Sequence, residues 1–378
     1  MAVYKIFPYK DASIYSSLPL MNSGMDAISE ITNALTIDGN PGVSRFLTQF
    51  DSTEINNVIN DKIGNSQWDV KLNLFVATAQ GISSEYTAEI WPVAQDWNNG
   101  TGEYLDSPQT IDGISWTYPN YSGSIPWSMN GSIGSELFTG SYDSSYAGQG
   151  GGNWFYSGPG VSSYLVTQSF GLRSDKDLSV SVKTIVSKWY SGSIPNNGFI
   201  TKWDESLEFN SSQYVQPIIK YYSVDTNTIY PPQLEFNWID YSTVLTGSQP
   251  GNIVTTSNLK LAINENPGIF YPSSVNRFRV NVSPLYPTRT FQTSSYFINP
   301  NYLPTSSYYA VKDLDTNEFV INFDNQYTQI SADNNSNYFD IYMNGLQPER
   351  YYTILIKTII DGSTIIFDDH YYFKIING

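Results

Sequence analysis

The segment "DVKLNLFVAT", from Asp69 to Thr78, alternates apolar and polar side chains with a period of two. Val70, Leu72, Leu74 and Val76 fall on one side, Lys71 and Asn73 on the other, as in an antiparallel strand with one face in a core and one in water. "RFRVNV" repeats the pattern, with Phe278, Val280 and Val282 interleaved with Arg277, Arg279 and Asn281. Further strands are expected at "ASIYS", "SRFLTQFD", "YTAEIWPV", "SYLVTQSF", "GFITKW", "VQPIIKYYSV" and "QLEFNWI". Toward the C-terminus follow "NLKLAI", "FVINFD", "YFDIYM", "YYTILIKTII" and "IIFDDHYYFKI". Clusters of Gly, Pro, Asn and Ser separate them at sandwich-like spacing. The fold class this predicts is all-β, with two helical interruptions. One is "STEINNVINDKI", with Ser52 as cap and Ile55, Val58, Ile59 and Ile63 on one stripe. The other is "VKTIVSKWYSG", with Val182, Ile185, Val186 and Trp189 at helical spacing and an end at Gly192.

A chain of 378 residues suits two or three domains, each with its own core. Pro231 and Pro232 fit a strand entry or an edge and no central ladder, so the boundary is expected near residue 240. Residues 1–240 would form a jelly-roll-like β-sandwich with a Gly/Ser/aromatic-rich insertion at 118–160. Residues 241–378 would form an immunoglobulin/fibronectin-like β-sandwich, entered by an extended linker at 241–256. The insertion is too rich in Gly and Ser for regular structure. Its aromatic residues Trp127, Phe138, Tyr142, Tyr146, Trp154, Phe155 and Tyr156 are the candidate interface, expected to pack on a neighbouring subunit.

Charged residues make up 14% of the chain and aromatic residues 15%, so the surface must be dressed largely in Ser, Asn, Thr and Tyr. The net charge is -16 and the basic residues are scattered, which gives no electrostatic footprint for nucleic acid. Cysteine is absent, excluding disulfides, thiolate metal sites and a cysteine nucleophile. The single histidine, His370, is read as a strand residue and not as a member of a triad. No apolar run approaches the ~18 residues of a membrane span, and "MAVYKIFPYKDASIYSS" has no signal-like apolar segment. No cofactor is expected beyond structural calcium, for which "DLDTNE", Asp313 to Glu318, offers oxygen ligands without the length or glycine of an EF-hand loop.

One stretch does resemble a sugar-cleaving cleft. "EIWPVAQDWNNGTGEYLDSPQTIDGISWTYPN", Glu89 to Asn120, sets Trp91, Trp97 and Trp116 around Asp96 and Asp112. Glycoside hydrolysis needs two carboxyl groups held across a sugar. Turn chemistry accounts for both aspartates without a substrate: Asp96 precedes "WNNGTG" and Asp112 precedes Gly113. Trp97 and Trp116 then read as buried plugs, and no catalytic residue is expected.

Several signatures carry a family resemblance. "SRFLTQFD", "IWPVAQDWNNGTG", "DGISWTY" and "DLSVSVKTIVSKWYSGSIPNNGFITKWDE" resemble DNRLRE-type domains, a β-sandwich family similar in shape to carbohydrate-binding modules. "KDASIYSSLPLMNSGMDAISEI", "GGGNWFY", "SDKDLSVSV" and "YSVDTNTIYPPQLEFNW" resemble virion structural proteins of contractile-tailed marine phages of the cyanophage kind. The resemblance covers about the first 240 residues and lends no catalytic residue. It implies a non-enzymatic virion component of the neck, tail, baseplate or fibre attachment, made in the host cytoplasm and oligomeric in the particle with other virion proteins. The alternative is a module that binds host-surface polysaccharide, and a more distant one a polysaccharide-degrading enzyme.

Overall fold

The computed structural model describes residues 2–35, 41–143, 148–157, 164–208, 217–243, 252–264, 267–286 and 300–377. Strands dominate, and the architecture is all-β and sandwich-like. The chain divides into two compact units. One comprises Ile6–Lys62 and Val70–Glu235, the other Met1–Lys5, Ile63–Asp69 and Phe236–Gly378. Neither is one uninterrupted stretch, an arrangement for which strand periodicity carries no signal. Of the linker expected at 241–256, residues 244–251 lie outside the described residues. Asn252–Ile253 is a short strand paired in parallel with Asn301–Tyr302.

The large sheet of the first unit runs in the order Val166–Phe170, Tyr86–Pro92, Phe199–Trp203, Pro41–Gln49, Ile28–Leu35, Ile218–Tyr222 and Val76–Gln80. Lys10–Tyr15 also pairs with Pro41–Gln49. The central strands are covered on both faces: all five residues of Phe199–Trp203 are buried, as are Phe46 and Leu47, which point oppositely. A smaller pairing joins Trp68–Leu74 to Leu178–Ser181, and Val70, Leu72 and Leu74 are fully buried, as their alternation requires. One face of the large sheet carries Ala12, Ile14, Val43, Leu47 and Ile200 beneath a cover of Trp97, Ile114, Trp116, Trp127 and Trp154.

That cover corrects the expectation of an irregular excursion at 118–160. Asn130–Ile133, Glu136–Asp143 and Gly148–Ser157 form a three-stranded antiparallel sheet. Small residues permit it: a Cβ on Gly131 would stand 2.5 Å from the Phe138 ring, and Phe138 pairs across the sheet with Phe155, ring edge to face. The first helix, Ser52–Asn57, is capped by Asp51 and not by Ser52. The Asp51 carboxylate accepts the backbone N–H groups of Thr53 and Glu54 at 2.6 and 3.1 Å. Past Asn57 the helix widens into a π-helical segment, and Val58 and Ile59 remain buried. The second helix, Lys183–Tyr190, buries Ile185, Val186 and Trp189, and Gly192 leaves it at φ +71°.

The second unit faces two sheets across one core. The first has the order Leu259–Asn264, Val275–Pro284, Asn337–Tyr342, Ser331–Ala332. The second has the order Ile269–Phe270, Ser363–Ile375, Tyr351–Ile360, Ser307–Asp313, Phe319–Ile321. Phe278, Val280, Phe339 and Ile341 from one meet Tyr309, Val311, Ile354 and Phe373 from the other. The Tyr309 and Phe339 rings stack at 4.3 Å between centroids.

The two units differ in how acid acts on them. In the second, the Arg279 guanidinium and the N–H groups of Asn335 and Ser336 hold the Asp333 carboxyl at about 2, below the usual 3.8. The stability it contributes is complete above 3.8 and is lost as pH falls through about 2. Screening at a side chain 26% exposed limits this to about 1 kcal/mol. In the first unit, burial raises Asp26 to about 6 and Asp11 well above its ordinary value. There the native state takes up protons before the unfolded chain does, so both groups favour the native state at lower pH, and Asp26 makes that unit more stable as pH falls from 7 toward 5. Denaturant titrations at stepped pH should show Asp333→Asn flattening the acid limb below pH 4. Asp26→Asn should flatten the trend between pH 7 and 5.

Candidate functional site

The stretch around Asp96 and Asp112 is built as a scaffold on one buried amide. Asn22 is fully buried. Its Nδ2 donates to the carbonyls of Asn99 and Ile114 at 2.6 and 2.9 Å, and its Oδ1 accepts from the N–H groups of Gly24 and Gly102 at 3.2 and 2.8 Å. Gly100, at φ +79°, and Gly113 press so closely on this amide and on each other that a Cβ on either would come within 2.4 Å of a neighbouring atom. That explains the glycines of "NNGTG" and "DG". Asp112 accepts the backbone N–H and the hydroxyl of Thr101 at 3.0 and 2.6 Å, so it ties two loop segments eleven residues apart and does not close the local turn expected of it. Asp96 departs from its expected role: its side chain is 81% exposed and pairs with Lys10 at 3.6 Å. Trp97 and Trp116 are plugs with 3% and 1% exposure. The Trp97 indole N–H donates to the Asn197 carbonyl at 2.9 Å.

Of the aromatic residues assigned to an interface, Trp127, Trp154 and Phe155 are buried within their own unit. Phe138 and Tyr156 are half-buried. The strand backbone at Tyr142 is described but its side chain is not, and Tyr146 lies outside the described residues. The correction has a simple cause. A sheet face rich in Ala, Val, Leu and Ile needs an apolar cover, and the tryptophans supply it from within the chain.

Beneath that cover lies a constellation that the motif reading missed. Pro41–Gln49, Phe199–Trp203 and Tyr86–Pro92 are neighbouring strands, and they place Arg45, Lys202 and Glu89 in one row. The helical turn Glu205–Glu208 adds Glu208. Arg45 and Glu208 have no exposed side-chain surface and bind in bidentate fashion, Nε to Oε1 at 2.9 Å and Nη2 to Oε2 at 2.6 Å. Nη1 of Arg45 donates to the Gly151 carbonyl. The guanidinium lies 5.0 and 5.3 Å from the Trp116 and Trp154 ring centroids. The Lys202 ammonium stands 2.8 Å from Glu89 Oε2 and 3.7 Å from Glu208 Oε2, and donates to the Trp203 carbonyl at 3.1 Å. Glu89 Oε2 also accepts the Trp91 indole N–H at 3.0 Å. Asp204 completes the group: hydrogen bonds from Ser206 hold its carboxyl below the usual range, helped by a hydrogen bond with Glu89 and by the Lys202 charge.

Two glutamates converging on one lysine, walled by indoles, have the composition of an acid–base centre. They lack room for a sugar, because both carboxylates touch the same ammonium, whereas a glycosidic bond must fit between the two acids. A sequence signal existed: "SRFLTQF", "TAEIWPV" and "FITKW" each set charge into an apolar strand, and buried charges occur almost only when paired.

Other expected positions resolve individually. His370 sits in a bulge of Ser363–Ile375 at φ +52°, its side chain 75% exposed beside Asp368. In the calcium candidate, Asp313 accepts the N–H groups of Asp315 and Thr316 and a bidentate pair from Arg350. Its oxygens are thereby occupied. Among the described residues no group of three or more His, Asp or Glu side chains is placed to hold a metal.

No protein-family model matches the chain, and no curated protein matches it. Among solved structures, the crystal structure of Parabacteroides merdae β-glucuronidase aligns over 96% of this chain and 36% of that one, at 9% identity and a TM-score of 0.16. A likeness at that level carries no argument about fold or activity.

Two substitutions separate scaffold from surface. Trp97→Ala should cost the first unit about 3–5 kcal/mol, and Asp96→Asn less than about 0.5 kcal/mol, both read from urea unfolding followed by tryptophan fluorescence. Glu208→Gln strands a buried guanidinium and should cost about 3–5 kcal/mol, whereas Arg45→Met combined with Glu208→Leu should recover most of that loss.

Proposed function

We propose that the protein is a virion structural component of the neck, tail, baseplate or fibre attachment, acting by assembly with other particle proteins. The observation that carries this reading is the outer face of the last two strands of the second unit. By their register, Tyr351, Ile359, Ile366 and Tyr372 share that face with Lys357 and Lys374. Tyr351 is 51% exposed, Ile366 56% and Tyr372 49%. Tyr351 and Tyr372 at one end and Ile359 and Ile366 at the other are large exposed apolar groups, separated by Asp368 and the lysines, and such aromatic and aliphatic groups mixed with charge suit a protein interface. The ordered motifs that resemble phage structural proteins support the same reading, as does the use of the Asp96–Asp112 stretch as scaffold. The alternative, a glycan-binding module, would rest on tyrosines alone, because none of the nine tryptophans is exposed.

Proteomics of purified particles tests the proposal, and absence of the chain from intact virions would refute it. Ile366→Glu together with Tyr372→Ser should change unfolding stability by no more than about 0.5 kcal/mol per site and yet abolish incorporation. Incorporation of the double variant at the wild-type level would remove this face from the proposal.

A further inference from the structure

Lys202 and Glu89 are register partners on adjacent antiparallel strands, so the sheet itself holds their side chains together on one face. Nζ stands 2.8 Å from Glu89 Oε2, so amine and carboxyl are held together by the sheet and their reaction would be intramolecular, the circumstance that gives such reactions large effective concentrations. The side chains are only 2% and 11% exposed, and Nζ lies 5.3 Å from the Trp154 ring centroid. Water is therefore largely excluded from a pair whose condensation would release water.

The surrounding groups supply the remaining requirements. Two carboxyl groups, Glu89 and Glu208, stand within 4 Å of the Lys202 ammonium, and Asp204 lies two residues along the chain from Lys202. Glu208 Oε2, 3.7 Å from Nζ, is placed to take a proton from the ammonium. The Trp91 indole N–H, 3.0 Å from Glu89 Oε2, is placed to hold negative charge as it develops on that oxygen.

We propose that this cluster is an autocatalytic cross-linking site that joins Lys202 to Glu89 through an intramolecular amide. Glu208 accepts a proton from the Lys202 ammonium, and the freed amine attacks the Glu89 carboxyl carbon, forming the N–C bond. Trp91 steadies the tetrahedral oxyanion. The nitrogen then gives up its second proton, and one carboxyl oxygen of Glu89 leaves as water with protons relayed through Glu208 and Asp204. An ammonium and a carboxylate are consumed, an amide and a water are formed, and neither oxidant nor metal is required. Arg45 acts as a positioning residue by fixing the Glu208 carboxylate.

Intact mass spectrometry of the denatured full chain tests this directly. The expected mass is one water below that of the sequence. Trypsin should fail to cleave after Lys202 and should release a branched peptide joining the Lys202 segment to the Glu89 segment. Lys202→Arg should restore the full mass. Asp204→Asn, at a partly exposed position, should leave a mixture of linked and unlinked chains that shifts toward linked with time. A wild-type chain of full mass that is cleaved after Lys202 overturns the proposal, as does a lost water that maps elsewhere.

Discussion

The ion pair between Arg45 and Glu208 is the contact on which the first unit turns. Two charges with no exposed surface carry a desolvation penalty of several kcal/mol each, which only near-ideal geometry and further hydrogen bonds offset. Here the offset comes from three separate parts of the chain: the bidentate carboxylate from Glu205–Glu208, the Gly151 carbonyl and the faces of Trp116 and Trp154. Gly151 sits at φ +84°, where a Cβ would stand 2.7 Å from Arg45 Nη1 and 2.8 Å from the Trp116 ring. Its glycine identity and the guanidinium position are thus one requirement. Apolar fillings of the same volume are often as stable as a buried ion pair; what the charges do here is tie sheet, cover and helical turn to one geometry.

The strands were legible in the sequence, because period two states which side chains face inward. "RFRVNV" carried that information in full, and the helix at Lys183–Tyr190 was readable from its stripe. "DVKLNLFVAT" carried it only as far as Leu74: the strand ends there, and Val76, half-buried, opens a second strand, Val76–Gln80, in the large sheet, because alternation does not mark the break at Phe75. The region at 118–160 was not, because glycine and serine hide a strand whose sides are occupied by neighbouring rings and not by its own side chains. The cap at Asp51 was missed by one position because Ser52 is an equally good capping type. The charged row was half-legible. Each strand announced a charge in an apolar setting, but pairing Arg45 with a residue 163 positions away requires the sheet order, which alternation does not encode.

The two units also spend their aromatic residues differently. In the first, indoles are drawn inward as roof and lining; the N–H groups of Trp97 and Trp127 donate to the Asn197 and Ser115 carbonyls, whereas those of Trp116, Trp189 and Trp203 are buried without a hydrogen-bond partner among the described residues. In the second, phenylalanines stack through the middle of the core, while tyrosines such as Tyr351 and Tyr372 remain at the outer face. A ring with a hydroxyl tip tolerates water on one side until a partner covers it.

The strand order of the large sheet has a consequence for how the chain is made. Lys10–Tyr15, Ile28–Leu35 and Pro41–Gln49 leave the ribosome well before two of the neighbours that flank them in the sheet, Phe199–Trp203 and Ile218–Tyr222. During synthesis at ~5–20 residues per second, the early strands must wait on the order of ten seconds or more with hydrogen-bonding edges open. For that interval the nascent protein is a meander of unfinished sheet in the company of eight further strands among the described residues, from Trp68–Leu74 to Leu178–Ser181, and the gap between Pro41–Gln49 and Tyr86–Pro92 stays open until Phe199–Trp203 arrives to fill it.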